Sequence, residues 1–146
     1  MKFGFQISIR GGFSKVVPRA KKLGCDTIQL FTRNPRSWEA KPLILEDVEK
    51  FREDVKNSGI FPVITHIPYL PNFATSNPDI YRKSINVLID DLKRSEKLGA
   101  QYLIIHCGRR LDRDLKCALK SVSDAINFAF DKVDNGVILL LSLIHI

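Results

Sequence analysis

Apolar positions along the chain switch repeatedly between two periods. Over residues 2–8 (KFGFQIS), Phe3, Phe5 and Ile7 alternate with polar or small residues, which predicts a strand. Gly11 and Gly12 break it, and Ser14 is placed to cap a helix whose stripe is Val16, Val17, Ala20 and Leu23, ended by Gly24. Residues 27–31 (TIQLF) predict a second strand, and Leu45, Val48, Phe51 and Val55 mark a second helix that ends near Gly59. Residues 61–66 (FPVITH) predict a third strand. Asn77-Pro78 then opens a helix carrying Tyr81, Ile85, Leu88 and Leu92 on one face, up to Gly99. Residues 102–106 (YLIIH) predict a fourth strand. Leu115, Leu119, Val122, Ile126, Ala129 and Val133 give a fourth helix before Gly136, and residues 137–141 (VILLL) begin a fifth strand.

Five strands alternating with four helices predict an α/β fold of βαβ units and a parallel sheet. The strands are mostly apolar throughout, as expected where helices cover one face and a core fills the other. No glycine-rich phosphate loop follows any strand, so a nucleotide-binding doubly wound sheet lacks support. A (β/α)8 barrel remains, and such a barrel takes about 250 residues. The chain has 146. An incomplete (β/α)8 TIM barrel of about five parallel strands and four helices, forming a single partial domain over residues 1–146, is the expectation.

Composition adds compartment and charge. The apolar fraction of 45% and the charged fraction of 27% are those of a soluble globular protein. No apolar run reaches the roughly 20 residues of a membrane span, and the N-terminus lacks the apolar core of a signal peptide. Three cysteines without C-x-x-C spacing point to reduced thiols and the cytoplasm. The net charge is +7, and residues 1–50 hold 10 basic and 5 acidic side chains, so most of the excess lies there. A one-sided basic surface suits a polyanion such as nucleic acid, although a solvated helix face would look the same.

In a parallel barrel, chemistry is done at the C-terminal ends of strands. His66 and His106 each follow an apolar strand, and they stand 40 residues apart, about one βα unit. Two imidazoles at one rim are the start of a metal site, and the competing reading of each is a core histidine bonded to a backbone carbonyl. His145 continues the spacing, but it falls in a nearly unbroken apolar run too long for one strand, which weighs against a ligand role. The segment TRNPRSW at 32–38 lies after the second strand on the same rim. Its arginines, Asn34 and Trp38 suit phosphate contact and insertion into a groove. Tyr69 follows His66 by three residues and adds an aromatic ring nearby.

These residues together resemble the N-terminal part of the endonuclease IV family of zinc-dependent apurinic/apyrimidinic (AP) endonucleases. The resemblance covers about residues 2–140, through GFQIS with Gly11-Gly12, LFTRNPRSW at 30–38, THIPYLPNFA at 65–74 and LIIHCG at 103–108. It implies that several zinc ions sit at the barrel mouth and that His66 and His106 are zinc ligands there. It further implies that Arg36 enters the DNA at the lesion, that Tyr69 contacts the DNA, and that Asn34 belongs to the same DNA-facing loop. The implied substrate is double-stranded DNA containing abasic sites, the implied reaction is hydrolysis of the phosphodiester 5′ to the lesion in base-excision repair, and the implied full-length protein is a monomer.

The chain departs from the family pattern at three places. Gln6 stands where the opening motif usually has His, and Cys107-Gly108-Arg109 replaces the usual Pro-Gly-Ser. Where the family's fifth strand ends in a zinc-binding Glu, this chain has Leu141 and Ser142 before Leu-Ile-His-Ile. Residues 137–146 are therefore expected to be truncated or artefactual, and the chain by itself to be inactive. Two readings compete: a sugar isomerase or epimerase of the same barrel superfamily, and a non-catalytic DNA-binding module in which both histidines are structural.

Overall fold

Each helix joins two strands that lie side by side, so the chain advances around the sheet one stave at a time. The computed structural model describes residues 1–142. Its strands are β1 (Gly4–Gln6), β2 (Thr27–Phe31), β3 (Val63–His66), β4 (Tyr102–His106) and β5 (Ile138–Ser142). The helices between them are α1 (Val16–Lys22), α2 (Leu45–Ser58), α3 (Pro78–Lys97) and α4 (Leu115–Lys132). All strand pairs are parallel and the sheet order is β1-β2-β3-β4-β5. This is the first part of a (β/α)8 barrel.

Side-chain alternation divides the sheet into two faces. Ile28, Leu30, Val63, Leu103 and Ile105 are buried and point toward the helices. They form two clusters, one with α1 and α2 through Val16, Ala20, Val48 and Phe51, the other with α3 and α4 through Leu88, Leu92, Val122 and Ala125. The opposite, concave face is layered by register. Gln6, Gln29, Ile64, Tyr102 and Ile138 stand at one level, and Phe31, His66, Ile104 and Leu140 at the next.

The helix boundaries follow local chemistry. Asn77 caps α3 by accepting from the backbone N–H groups of Asp79 (3.0 Å) and Ile80 (3.1 Å), with Pro78 in the first turn. Asp114 caps α4 through Cys117 N–H. The start of α1 differs from the expectation. The Ser14 side chain does not cap it; a short 3-10 turn, Phe13–Lys15, precedes the helix. The Phe13 and Ser14 amides of that turn donate to the Asp47 carboxylate of α2, at 2.6 and 3.0 Å. A cap supplied from another helix leaves no local sequence signal.

The stripe of α4 is also rotated from the expected one. Ala118, Val122, Ala125 and Ala129 are buried, whereas Leu115 and Leu119 are 46% and 45% exposed. Small residues let the helix approach the sheet closely, so the contact stripe follows the alanines rather than the leucines.

One buried polar cluster ties α3 to the loop after β2. Asp91 is fully buried and accepts from Thr32 Oγ1 (2.7 Å) and Arg33 Nε (2.8 Å). Burial pushes the Asp91 carboxyl above the usual carboxylate range, while Arg33 and Thr32 pull it down. Removing the carboxylate leaves the buried Arg33 guanidinium with only the half-exposed Asp90 as counter-charge. Asp91→Ala is therefore expected to lower the unfolding free energy by about 3–5 kcal/mol, read by urea unfolding followed by circular dichroism. For Asp47, burial is outweighed by the hydrogen bonds from Ser14 and Phe13, and its carboxyl is held below the usual value of 3.8. The stabilisation from this charged acceptor is present above pH 3.8 and disappears as the pH falls through the lowered folded-state value. Asp47→Asn should flatten that acid limb of the stability profile relative to wild type.

Candidate functional site

The C-terminal ends of β3 and β4 bring two imidazoles into contact. His66 ends β3 and His106 ends β4, and their Nε2 atoms are 3.1 Å apart. His66 pairs in register with Ile104, so His106 stands two residues further along the neighbouring strand and on the same face. The rings tilt toward each other across that step, with centroids 4.9 Å apart.

The tautomer of His66 follows from its other nitrogen. Nδ1 is 2.6 Å from the Ile67 carbonyl oxygen, which only accepts, so Nδ1 carries the hydrogen. In the neutral ring Nε2 is then the bare nitrogen, the form that ligates metals, and the carbonyl fixes the ring orientation. Burial holds the His66 pKa below the usual 6.5 despite the opposing bond to Ile67, which favours the neutral ring. The carbonyl bond of the competing structural reading is thus present, and it leaves Nε2 directed at His106.

Aromatic and polar groups surround the pair. Phe31 ends β2 at the level of His66 and meets it edge-on at 5.3 Å between centroids. Tyr69, which is 62% exposed, packs edge-on against Phe31 at 5.2 Å. A cleft of about 370 Å³ opens before the histidines, with Gln29, Ile104, Leu140 and Ser142 in its lining. Gln29 Nε2 donates to Gln6 Oε1 at 2.6 Å, joining β1 to the same cleft. Ser142 lies beside His106 in register. Sequence reasoning misses Phe31 and Gln29, although the strand-end and alternation rules applied to the histidines place both on this face.

The loop after β2 stands next to this cleft. Asn34 and Arg36 are exposed at its tip, in a turn closed by Ser37 N–H to Asn34 O (3.2 Å) and by Arg36 N–H to Asn34 Oδ1 (3.0 Å). Pro35 O accepts from Tyr69 N–H at 2.9 Å, so the tip is joined to the loop that follows His66. The two arginines of the segment divide sharply: Arg36 faces solvent, whereas the Arg33 side chain is 3% exposed and bound to Asp90 and Asp91. Arg33 therefore takes no part in a solvent-facing phosphate surface. Trp38 is partly buried against the core and lies beneath Lys83 Nζ, 5.9 Å from the ring.

The loop after β4 is stitched to the loop after β3. Cys107 O accepts from Phe73 and Ala74 N–H, both at 3.1 Å, and Asn72 Nδ2 donates to Arg109 O at 3.0 Å. Gly108 sits between them at φ +88°, and a Cβ there would lie 2.1 Å from Asn72 Oδ1. Among the described residues no group of three or more His, Cys, Asp or Glu side chains could hold a metal ion, and no helix is long and apolar enough to cross a membrane. His145 lies outside the described residues.

Comparison with known proteins places this geometry. A family model described as xylose isomerase-like TIM barrel matches residues 17–144. A protein of Halothermothrix orenii named probable endonuclease 4 is 36% identical over 141 residues, 97% of this chain and 51% of the relative. A probable endonuclease 4 of Methanocorpusculum labreanum is 41% identical over 142 residues, 97% of this chain and 50% of the relative. The crystal structure of endonuclease IV from Thermus thermophilus superposes with a TM-score of 0.82 at 31% identity, covering 97% of this chain and 51% of that one. A D-tagatose 3-epimerase-like protein reaches a TM-score of 0.65 at 14% identity, a likeness of fold alone. The chain spans about half the length of the curated relatives it matches. On the match over residues 17–144, the chain belongs to the xylose isomerase-like TIM barrel family, and its relatives there include the proteins named endonuclease 4.

Proposed function

We propose that this chain is the N-terminal half of a zinc-dependent AP endonuclease, which hydrolyses the phosphodiester 5′ to abasic sites in double-stranded DNA during base-excision repair. The observation that carries the reading is the His66–His106 pair, with Nε2 atoms 3.1 Å apart at the ends of adjacent barrel strands. Relatives named endonuclease 4 supply the reaction class. In this reading the protein is cytoplasmic and monomeric when its barrel is complete.

The donor set fits zinc. Two nitrogens bound to one zinc at about 2.0–2.1 Å stand about 3.3 Å apart at the tetrahedral angle. The observed 3.1 Å needs only a small adjustment to reach that spacing. His66 offers a bare Nε2 held in place by the Ile67 carbonyl, and His106 offers its Nε2 from the next strand. When bound, zinc supplies Lewis-acid stabilisation of phosphate charge and acidifies water. Two protein ligands fall short of the three that catalytic zinc sites use, so further ligands belong to the other half of the barrel.

The remaining residues handle the DNA. Arg36, exposed at the loop tip, enters the duplex at the lesion, and Asn34 holds the Arg36 backbone in its turn. Tyr69, propped on Phe31, offers its ring to a base or sugar exposed where the duplex opens. The hydrogen bond from Tyr69 N–H to Pro35 O ties the loop of Arg36 to that of Tyr69. The positive excess of residues 1–50 suits a polyanionic partner.

Zinc titration tests the pair directly. By calorimetry the chain should bind zinc, and His66→Ala or His106→Ala should each weaken binding at least tenfold while circular dichroism stays native. Equal affinity in all three proteins would refute the metal assignment. Duplexes with and without a tetrahydrofuran abasic analogue test the DNA reading by fluorescence anisotropy. Arg36→Ala should erase the preference for the abasic duplex while reducing affinity for the intact duplex less than about threefold. A wild-type chain that binds both duplexes alike would overturn the reading. The purified chain with zinc is expected to leave the abasic strand uncut.

A further inference from the structure

The loop that carries Asn34 and Arg36 is gripped from below by one helix at three of its positions, and Arg33 ties a fourth to them. Arg94 of α3 donates to Thr32 O from Nε (3.2 Å) and Nη2 (2.7 Å), and to Lys41 O from Nη1 (3.0 Å). Asp91 accepts from Thr32 Oγ1 and Arg33 Nε. Arg33 continues to Asp90 and reaches forward along its own loop to Trp38 O at 3.3 Å. Residues 32, 33, 38 and 41 are thereby fixed, and the exposed tip is the short span between two of those anchors.

We infer that Arg33, Asp91 and Arg94 are positioning residues that hold the Arg36 tip in its DNA-entering geometry. The inference rests on the reading of that loop as the DNA interface. Arg33 and Arg94 are 5% and 8% exposed, so neither is itself available to a phosphate. A buried ion cluster is a poor way to gain stability, because well-packed apolar side chains would join helix to sheet as well or better. It is a good way to fix direction. A guanidinium presents five donors in a rigid fork, and only such a fork joins several carbonyls and carboxylates of a loop at once.

The geometry also separates this clamp from the metal pair. The clamp runs between α3 and the loop after β2, on the helix side of the sheet, whereas His66 and His106 meet on the concave side. Trp38 is the single tryptophan of the chain, so its fluorescence reports on the clamped loop without DNA.

The experiment compares wild type with Arg94→Gln, Arg94→Lys and Arg33→Lys, using Trp38 emission, zinc titration and the two duplexes, with Arg36→Ala in parallel. Arg94→Gln and Arg33→Lys should red-shift Trp38 emission and cut the preference for the abasic duplex at least fivefold, with zinc affinity within twofold of wild type. Arg94→Lys, which keeps the charge but offers a single point of contact, should recover part of the preference. Unchanged Trp38 emission and duplex preference in both variants would overturn the positioning role. A parallel fall in zinc affinity would overturn it as well, by showing general loss of structure. If Arg94→Gln keeps the preference while Arg36→Ala loses it, the clamp inference fails and the DNA reading stands. If Arg36→Ala changes nothing, the DNA reading of the loop fails and the positioning role fails with it.

Discussion

Everything at the candidate site depends on the parity of a parallel sheet. Successive side chains point to opposite faces, so two residues on neighbouring strands share a face only if their register differs by an even number. His66 pairs with Ile104, and His106 lies two positions beyond it. A slip of one residue between β3 and β4 would send one imidazole among the helices. The register is fixed by burial on the other face, where Thr65 and Leu103 stand side by side at 0% exposure. The core beneath the sheet therefore sets which atoms meet above it.

The loop after β2 obeys a different logic. Its tip is polar and exposed, so apolar burial cannot hold it, and its conformation comes from directed bonds to α3 and to Tyr69. α3 is the helix that follows the strand of His66. One βα unit thus supplies both an imidazole of the candidate site and the clamp for its neighbour's loop, which couples the two parts of the site through a single helix.

The order of elements and the parallel sheet are legible because strand and helix periods are written locally. The strands at 27–31 and 102–106 and the Asn77-Pro78 helix start need no tertiary knowledge. What stays hidden depends on residues distant in sequence. Asp47 caps a turn 33 residues before it, and α4 rotates onto its alanines because of the sheet below. The histidines are legible from their place after apolar strands, but their 3.1 Å approach and the His66 tautomer come only with register and the Ile67 bond. In sequence both arginines of the segment at 32–38 read as solvent-facing, whether Trp38 inserts into a groove or anchors the loop. Nothing local distinguishes Arg33 from Arg36; the difference is made by Asp90 and Asp91, almost sixty residues away.

The seam between the loops after β3 and β4 has a consequence for engineering. Gly108 leaves no room for even a methyl group beside Asn72, and its backbone lies where side chains rarely go. Diversifying the rim to alter what it accepts is open to Asn34, Arg36 and Tyr69, which face solvent. Position 108 is closed to it, since any side chain there would collide with Asn72 and open the seam between the two loops.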